Sequence, residues 1–150
     1  MIYDRTQADV DAAIVLRETK IKAFQSLTAS EIETIERGTL TINTLNRIET
    51  KQNELKELLN GMGYWNTNIV NKEWNETQVF DETEFNRIVN NVNVLRNAFF
   101  AYTDTPSQPK AVYHFNNINS LEKILYDLGK MIDDVKELYR ECGNFQCAEV

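Results

Sequence analysis

The chain has 150 residues, 42% of them hydrophobic and 26% charged, which is the size and composition of one ordinary globular domain. Its 16 Lys and Arg residues and 23 Asp and Glu residues give a formal net charge of −7, which disfavours binding to the phosphate backbone of nucleic acids. We find neither an apolar signal segment nor an apolar run that could span a membrane, so we expect a protein made in a cytoplasm, without a membrane partner.

A helix is predicted near the N-terminus by a capping pattern. Thr6 is a favourable N-cap residue, and Asp9 follows three residues later, where a carboxylate can face the free N–H groups of the first turn. Apolar residues then recur at helical spacing, so we expect this helix to run to about Gln25. The apolar positions are Val10, Ala13, Ile14, Ile21 and Phe24.

A second, short helix is predicted by the pattern S-x-x-E. Ser30 would accept a hydrogen bond at the start of this helix, and Glu33 would complete the capping box. Ile32 and Ile35 are expected to point inwards, and Gly38 is expected to end the helix.

Three longer helices are predicted by one apolar pattern that occurs three times. In residues 85–99 apolar side chains fall at offsets 0, 3, 7, 10 and 14, which form a single stripe along an amphipathic helix. The offsets recur from Leu45, where Gln52 is the one polar break, and from Leu121. The stripes consist of Leu45, Ile48, Leu55 and Leu59; of Phe85, Ile88, Val92, Leu95 and Phe99; and of Leu121, Ile124, Leu128, Met131 and Val135. We expect the three helices to bury these stripes against one another.

Each striped helix is preceded by a residue of N-cap type, four positions before its first stripe residue: Thr41, Asp81 and Asn117. Successive units are spaced by 40 and 36 residues, which is too irregular for a solenoid. The predicted fold class is mainly α. We expect an irregular bundle of about four long helices plus one short helix, joined by extended connectors, in a single helical domain over residues 1–150.

The segments between the striped helices are predicted to be extended. Residues 64–80 mix aromatic and β-branched residues with Asn and Thr, which indicates extended chain or a hairpin. Trp65 and Trp74 in this segment either pack on the bundle, which we favour, or form an exposed aromatic patch for a partner. Residues 103–109 carry both prolines and are predicted to form a linker loop, followed by extended chain over residues 110–115.

Few side chains could carry chemistry, and we predict no catalytic residue, cofactor or metal site. His114 is the single histidine, which excludes histidine-based dyads and triads, so we expect a structural or surface role for it. Cys142 and Cys147 could remain free thiols, which we favour, form a disulfide, or supply half of a zinc site. The basic residues of the three units are expected to form salt bridges; they are Arg47, Arg87 and Lys123.

Five sequence segments together resemble a known domain. They are YDRTQADVD at residues 3–11, TLNRIE at 44–49, FNRI at 85–88, LEKILYDLG at 121–129 and YRECGNFQC at 139–147. In this order they are similar to a domain of structural proteins from the tail or baseplate region of tailed bacteriophages and prophages of Firmicutes. The likeness covers nearly the whole chain and brings no catalytic residues with it.

The resemblance implies a non-enzymatic virion structural protein, a tail or baseplate adaptor that docks other virion proteins. Its location would then be the virion, and a symmetric homo-oligomer would be compatible with that setting. The candidate partner-binding residues are Trp65, Trp74, Tyr139 and Phe145. Two alternatives remain: a cytoplasmic bacterial protein-interaction or regulatory module, and an activity that depends on the cysteines or on a metal.

Overall fold

The computed structural model describes residues 1–65, 67–107 and 114–143, with side chains as far as residue 140. Helix α1 spans Gln7–Leu16 and continues as a π-helical turn over Arg17–Ile21, and α2 spans Ala29–Gly38. The three long helices are α3, Ile42–Gly61; α4, Glu82–Ala98; and α5, Phe115–Gly143. Within these described ranges there is no β-strand, and the predicted mainly-α bundle is confirmed.

The helices begin where side-chain oxygens accept the free N–H groups of the first turn. Thr6 and Asp9 form the predicted capping box of α1. Thr41 and Asp81, which start α3 and α4, each accept the backbone N–H group three residues further on. These N-cap predictions are confirmed.

The predicted start of the second helix is wrong by two residues. Thr28, not Ser30, is the N-cap of α2, and Glu31, not Glu33, completes its capping box. Both residue pairs have the same T/S-x-x-E spacing, but Lys20 of the π-helical turn pairs with Glu31 and favours the earlier start. In the observed helix Ile32 is half exposed, so its predicted inward orientation is also wrong.

Two further helix ends differ from the prediction. The first helix ends near Ile21 and not at Gln25, because the backbone turns at Phe24, whose φ is +54°. The last helix begins at Phe115, so Asn117 lies inside its first turn and is not the N-cap. His114 takes that role, since its Nδ1 accepts the backbone N–H of Asn116 at 3.2 Å and its carbonyl oxygen accepts from the following turn.

The core lies between α3, α4 and α5, each of which packs against the other two. All three predicted apolar stripes face it, with their outer members Phe99, Met131 and Val135 half buried. The polar break at Gln52 is also fully buried, and its amide donates to the carbonyl of Ile88 at 3.2 Å. This bond and one accepted from Asn91, at 3.0 Å, satisfy an amide that would otherwise be costly to bury.

Helices α3 and α4 run in the same direction. Arg87 of α4 pairs with Glu49 of α3, and one turn further along both helices Asn91 meets Gln52. Beyond the ends of the two helices the rings of Tyr64 and Phe99 pack edge to face, with centroids 5.0 Å apart.

Helix α5 is parallel to α3 as well. Glu122 of α5 pairs with Arg47 of α3, and two turns further on Gly129 lies against Leu55. Three parallel helices in one chain require each connector to return along the length of the bundle. A helix of 20 residues such as α3 is about 30 Å long, and roughly nine residues of extended chain cover that distance.

The first connector returns along α3 as extended chain, as the sequence predicts. Thr67 bonds Asn60 near the end of α3, at 2.6 Å, and Trp74 bonds Asn46 near its start. The Trp74 contact is reciprocal, because the backbone N–H of Trp74 donates to the Asn46 side chain and the side chain donates back to its carbonyl. The amide of Asn46 thus replaces a strand partner for the connector.

The second connector returns along α5. Tyr102 donates to Asp134, and Thr105, nearer the start of α5, donates to Asp127 at 2.8 Å. Residues 103–107 of the predicted linker loop form a turn followed by irregular chain. Residues 108–109 of that prediction and 110–113 of the predicted extended stretch lie outside the described residues.

The N-terminal segment, like the two connectors, runs antiparallel to the long helix that it packs against. It runs against the direction of α5, because Tyr3 contacts the ring of Tyr126, with centroids 5.1 Å apart, and Arg5 binds Glu122, one turn earlier in α5. Because Arg47 of α3 binds the same carboxylate, this segment lies where α5 and α3 meet. The three units thus share one plan: an extended segment that returns along the bundle, followed by a striped helix.

Helices α1 and α2 form a hairpin inserted between the first extended segment and α3. They pack closely through small residues, because Gly38 of α2 lies directly against the carbonyl of Asp9 and the methyl group of Ala13. Arg37 adds ion pairs to Asp4 and Asp9, each 3.3 Å long. The hairpin therefore depends on close backbone approach more than on a large apolar core.

A methyl group at Gly38 is expected to destabilise the protein by about 1–3 kcal/mol, because it would overlap the Asp9 carbonyl and the Ala13 side chain. The measurement is urea unfolding of Gly38→Ala. Gly61→Ala is the matched control, since the space beside Gly61 is empty and the substitution there is expected to be neutral or slightly stabilising. Equal midpoints for the two variants would contradict the close packing of α1 on α2.

Candidate functional site

The α1–α2 hairpin exposes large apolar side chains over a short stretch of chain. They are Ile14, Val15, Ile21, Phe24 and Ile32. Apolar residues occur on all sides of α1, so only one side of the helix can pack against α2 and the others face solvent. Single exposed apolar residues are ordinary, whereas a group of this size on one hairpin is typical of an interaction surface.

Phe24 lies at the tip of this hairpin, where α1 and its π-helical turn end. Its side chain is 97% exposed, and its backbone adopts a left-handed conformation with φ of +54°. That conformation costs a residue with a Cβ atom roughly 1–2 kcal/mol, whereas glycine adopts it freely. The tip thus carries a strained aromatic residue that gains no burial within the described fold.

A second apolar surface lies at the far end of the bundle, beyond the ends of α3 and α4. A groove of about 540 Å³ is formed there by Met62, Tyr64, Phe99, Phe100, Val135, Lys136 and Tyr139. On the other side of Tyr64, a second hollow of about 610 Å³ includes Trp65 and Val94. Trp65 is 77% exposed, so the favoured prediction that it packs on the bundle is wrong, and Tyr139 is 74% exposed. The structure therefore brings these two predicted contact residues to the same end of the molecule.

Trp74, in contrast, does not belong to any exposed surface. Its side chain is 4% exposed and packs edge to face on Phe80, with centroids 5.4 Å apart. The indole N–H donates to the buried carboxylate of Glu49 at 3.2 Å. The favoured packing role of this tryptophan is thus confirmed, and the proposal that it contacts a partner is corrected because the side chain is inaccessible.

The side chains of three other predicted site residues lie beyond those that the structure describes. Cys142 lies in α5 beyond the last described side chain. Phe145 and Cys147 lie outside the described residues. The redox state of the cysteines and the contact role of Phe145 stay predictions.

Two buried carboxylates, neither identified as important in the sequence, hold the units together. Glu122 is fully buried and accepts from Arg5 and from Arg47, the latter at 2.9 Å. Glu49 is 2% exposed and binds Arg87. Each carboxylate is therefore paired with arginine from a neighbouring segment.

The basic residues of the three units form the predicted salt bridges. Arg47 and Arg87 join two helices each, whereas Lys123 pairs mainly within α5, with Asp127 at 2.6 Å. Hydrogen bonds from Lys72 and then from Arg87 hold the pKa of Glu84 below its ordinary value of 4.5. These contacts are structural in character.

The described part of the chain holds no group of three or more His, Cys, Asp or Glu residues placed to bind a metal ion. Among the helices whose residues are described, none is both long and apolar enough to cross a bilayer. No protein-family model matches the chain, and neither curated proteins nor solved structures show significant similarity to it. The likeness to phage tail proteins therefore stays a prediction.

Removing the charge of Glu122 is expected to destabilise the protein by about 3 kcal/mol or more. Glu122→Gln leaves Arg5 buried beside Arg47 without a counter-ion, and breaking a buried pair costs far more than breaking a surface pair. The measurement is the urea midpoint at neutral pH. Glu137→Gln breaks the exposed pair with Arg140 and is expected to change stability by less than about 0.5 kcal/mol. Equal effects would contradict a structural role for the buried cluster.

Acid is expected to release the contact between the π-helical turn and α2. A hydrogen bond from Lys20 and one from the backbone of Thr28 lower the pKa of Glu31 from 4.5 to about 2. Because the folded pKa is depressed, the contact contributes stability above pH 4.5 and loses it as the pH falls towards 2. A ¹³C NMR titration of the Glu31 carboxyl group measures this directly.

The matched variants for this titration are Lys20→Met and Lys22→Met. The first removes the partner of Glu31 and is expected to raise its pKa towards 4.5. The second removes a neighbouring lysine that pairs with Glu18 and is expected to leave the titration of Glu31 unchanged. A wild-type Glu31 that titrates near 4.5 would show that the ion pair is absent in solution.

Proposed function

We propose that this chain is a non-enzymatic docking protein of a tailed-phage or prophage particle, located in the tail or baseplate region. The observation that carries the docking role is Phe24, an aromatic residue that is fully exposed and held in a strained backbone conformation. Burial within the chain does not offset the free-energy cost of this backbone conformation. Burial of the Phe24 side chain against another protein would offset it.

The surface around Phe24 supports the same role. Val15 and Ile32 lie on the same hairpin with about half of their side-chain area exposed, so the hairpin carries further apolar surface besides Phe24. The hairpin is also an insertion beside the three-helix core, which can present it without rearrangement. The location in a phage tail is supported by the sequence resemblance and not by the geometry of the surface.

A docking role by itself also fits a cytoplasmic bacterial interaction module. Peptide mass spectrometry of particles purified from an induced host culture separates the two. We expect the chain in the particles, at a simple ratio to known tail proteins. Its absence from particles, despite expression in the cell, would contradict the virion setting and favour the cytoplasmic module.

Replacing Phe24 by glycine is expected to stabilise the isolated protein by about 0.5–1 kcal/mol and to prevent its incorporation into particles. The stabilisation follows because glycine adopts a φ of +54° without strain. The loss of docking follows because the aromatic side chain is gone. Opposite changes in the two measurements, urea unfolding and particle incorporation, cannot be produced by misfolding.

Val79→Ser is the control for loss of an exposed apolar residue. Val79 is 81% exposed and lies in the first connector, outside the hairpin. This variant is expected to incorporate normally. If Phe24→Gly also incorporates at the wild-type level, the hairpin is not the docking surface.

A further inference from the structure

Two apolar features remain uncovered in the described fold: Phe24 at the hairpin tip, and the groove beyond the ends of α3 and α4. They lie in different places on the molecule. The hairpin joins the bundle at the start of α5, where Gln7 and Gly38 border the same cavity as Phe115. The Phe24 side chain is 97% exposed, so it does not enter the groove of its own chain. A contact between the two features would therefore join two molecules.

The backbone at the end of the first helix fixes the position of Phe24. The N–H of Phe24 donates to the carbonyl of Ile21, and the N–H of Gln25 donates to that of Lys20, both at 3.0 Å. This is the hydrogen-bond pattern of a Schellman motif, in which the residue with positive φ is usually glycine. Phe24, with φ of +54°, occupies that position here. Its ring thus projects from an anchored backbone, and we call it the Phe24 knob.

The groove at the far end of the bundle has room for such a ring. Its volume is about 540 Å³, and aromatic side chains form much of its wall. The ring of Phe99 packs edge to face against Tyr64, with centroids 5.0 Å apart, and against Phe100, with centroids 5.5 Å apart. A phenyl ring entering the groove would continue this cluster with the tilted contacts that aromatic pairs prefer.

The charges of the two surfaces are complementary. Lys136 is the one charged residue that lines the groove, and it forms no ion pair with the side chains that the structure describes. The Phe24 knob lies at the C-terminal end of a helix, which carries partial negative charge. The last carbonyl groups there, those of Lys22 and Ala23, accept no hydrogen bond from the described residues. A lysine beside the inserted knob could donate to them.

The basic residues near the knob do not oppose this contact. Lys20 is paired with Glu31, and Lys22 is paired with Glu18. Arg17, the remaining basic residue of the π-helical turn, lines the cavity at the start of α5. An approaching lysine therefore meets the carbonyl groups beside cations that are already compensated.

We propose that the Phe24 knob of one molecule enters the groove of a second copy of this chain, where Lys136 donates to the last carbonyl groups of the first helix. This inference rests on the docking role proposed for Phe24 and names its partner. Because the knob and the groove are different surfaces, the contact is heterologous and joins copies head to tail. One kind of contact then covers both apolar features.

Sedimentation velocity of the whole chain, over about a hundredfold range of concentration, tests for this association. A contact made by one hairpin tip is small, so we expect weak association in the micromolar range. We also expect species larger than a dimer, because each added copy brings a further knob and groove. A chain that stays monomeric throughout, or that stops at a dimer, would overturn the proposal.

Phe24→Gly and Tyr139→Asp remove the knob and the groove separately. Each is expected to weaken self-association at least about tenfold, because the first deletes the inserted ring and the second places a carboxylate in the groove wall. Circular dichroism checks that both variants are folded. Self-association of either folded variant at the wild-type level would overturn the proposal.

Val79→Ser and Leu138→Asp are the matched controls. Leu138 is next to Tyr139 in α5 and is 59% exposed, but it does not line the groove. Val79 is an exposed apolar residue outside the hairpin. Both variants are expected to associate like the wild type. Equal losses in the controls would reduce the effect to general surface hydrophobicity and overturn the assigned contact.

A mixture of Phe24→Gly and Tyr139→Asp chains tests the pairing directly. The first variant keeps an intact groove and the second keeps an intact knob. Neither associates alone, but we expect the equimolar mixture to form a one-to-one dimer that cannot grow further. Absence of this dimer would show that the knob and the groove are not partners.

Particle incorporation of Tyr139→Asp separates this inference from the docking role itself. If copies dock on one another in the particle, we expect this variant to be incorporated at a reduced ratio, as Phe24→Gly is. If Tyr139→Asp incorporates at the wild-type level while Phe24→Gly is excluded, Phe24 docks on a different protein. The docking function would then stand, and self-association would be overturned.

Discussion

Three parallel helices in one chain impose a constraint on everything between them. Each connection must travel back along the bundle, and it must do so without a β-sheet partner in the described fold. Extended chain has unpaired backbone groups, and burying them unpaired would cost more than the packing contributes. The side chains on the outer edges of the helices solve this problem. Asn46 bonds both backbone groups of Trp74, and Asn91 of α4 donates to the carbonyl of Val70 at 2.9 Å.

The buried ion pairs follow from the same arrangement. Glu122 receives one arginine from the N-terminal segment and one from α3, so it connects an extended segment with two helices. Glu49 connects α3 with α4 through Arg87, and with the first connector through Trp74. Such pairs add little net stability over apolar packing, but they favour one register, because a shifted helix would leave a buried charge unpaired. We infer that they select the parallel register of helices whose apolar stripes are nearly equivalent.

The apolar stripes were predictable because the spacing of apolar residues in the sequence directly indicates the buried side of a helix. Even the break at Gln52 was visible, although its partner Asn91 comes from another helix and could not be identified from spacing. The direction of the helices was not predictable, since the same stripes pack equally well in antiparallel bundles. The start of α2 was ambiguous for a local reason: two capping boxes overlap, and the distant residue Lys20 favours one of them.

The candidate surfaces were only partly predictable, for a physical reason. Aromatic residues such as Trp65 and Trp74 look alike in sequence, and their burial depends on how the connector is oriented against α3. Phe24 continues an apolar pattern that predicts the first helix, whereas its importance comes from a backbone angle that residue spacing does not indicate. Arg5 carried no signal either, because the lack of acceptors for its buried Nε and Nη2 atoms among the described residues depends on which groups the fold brings near it. The spacing of apolar residues predicts which side of a helix is buried. It does not predict which residues are strained or lack hydrogen-bond partners, because both properties depend on the tertiary structure.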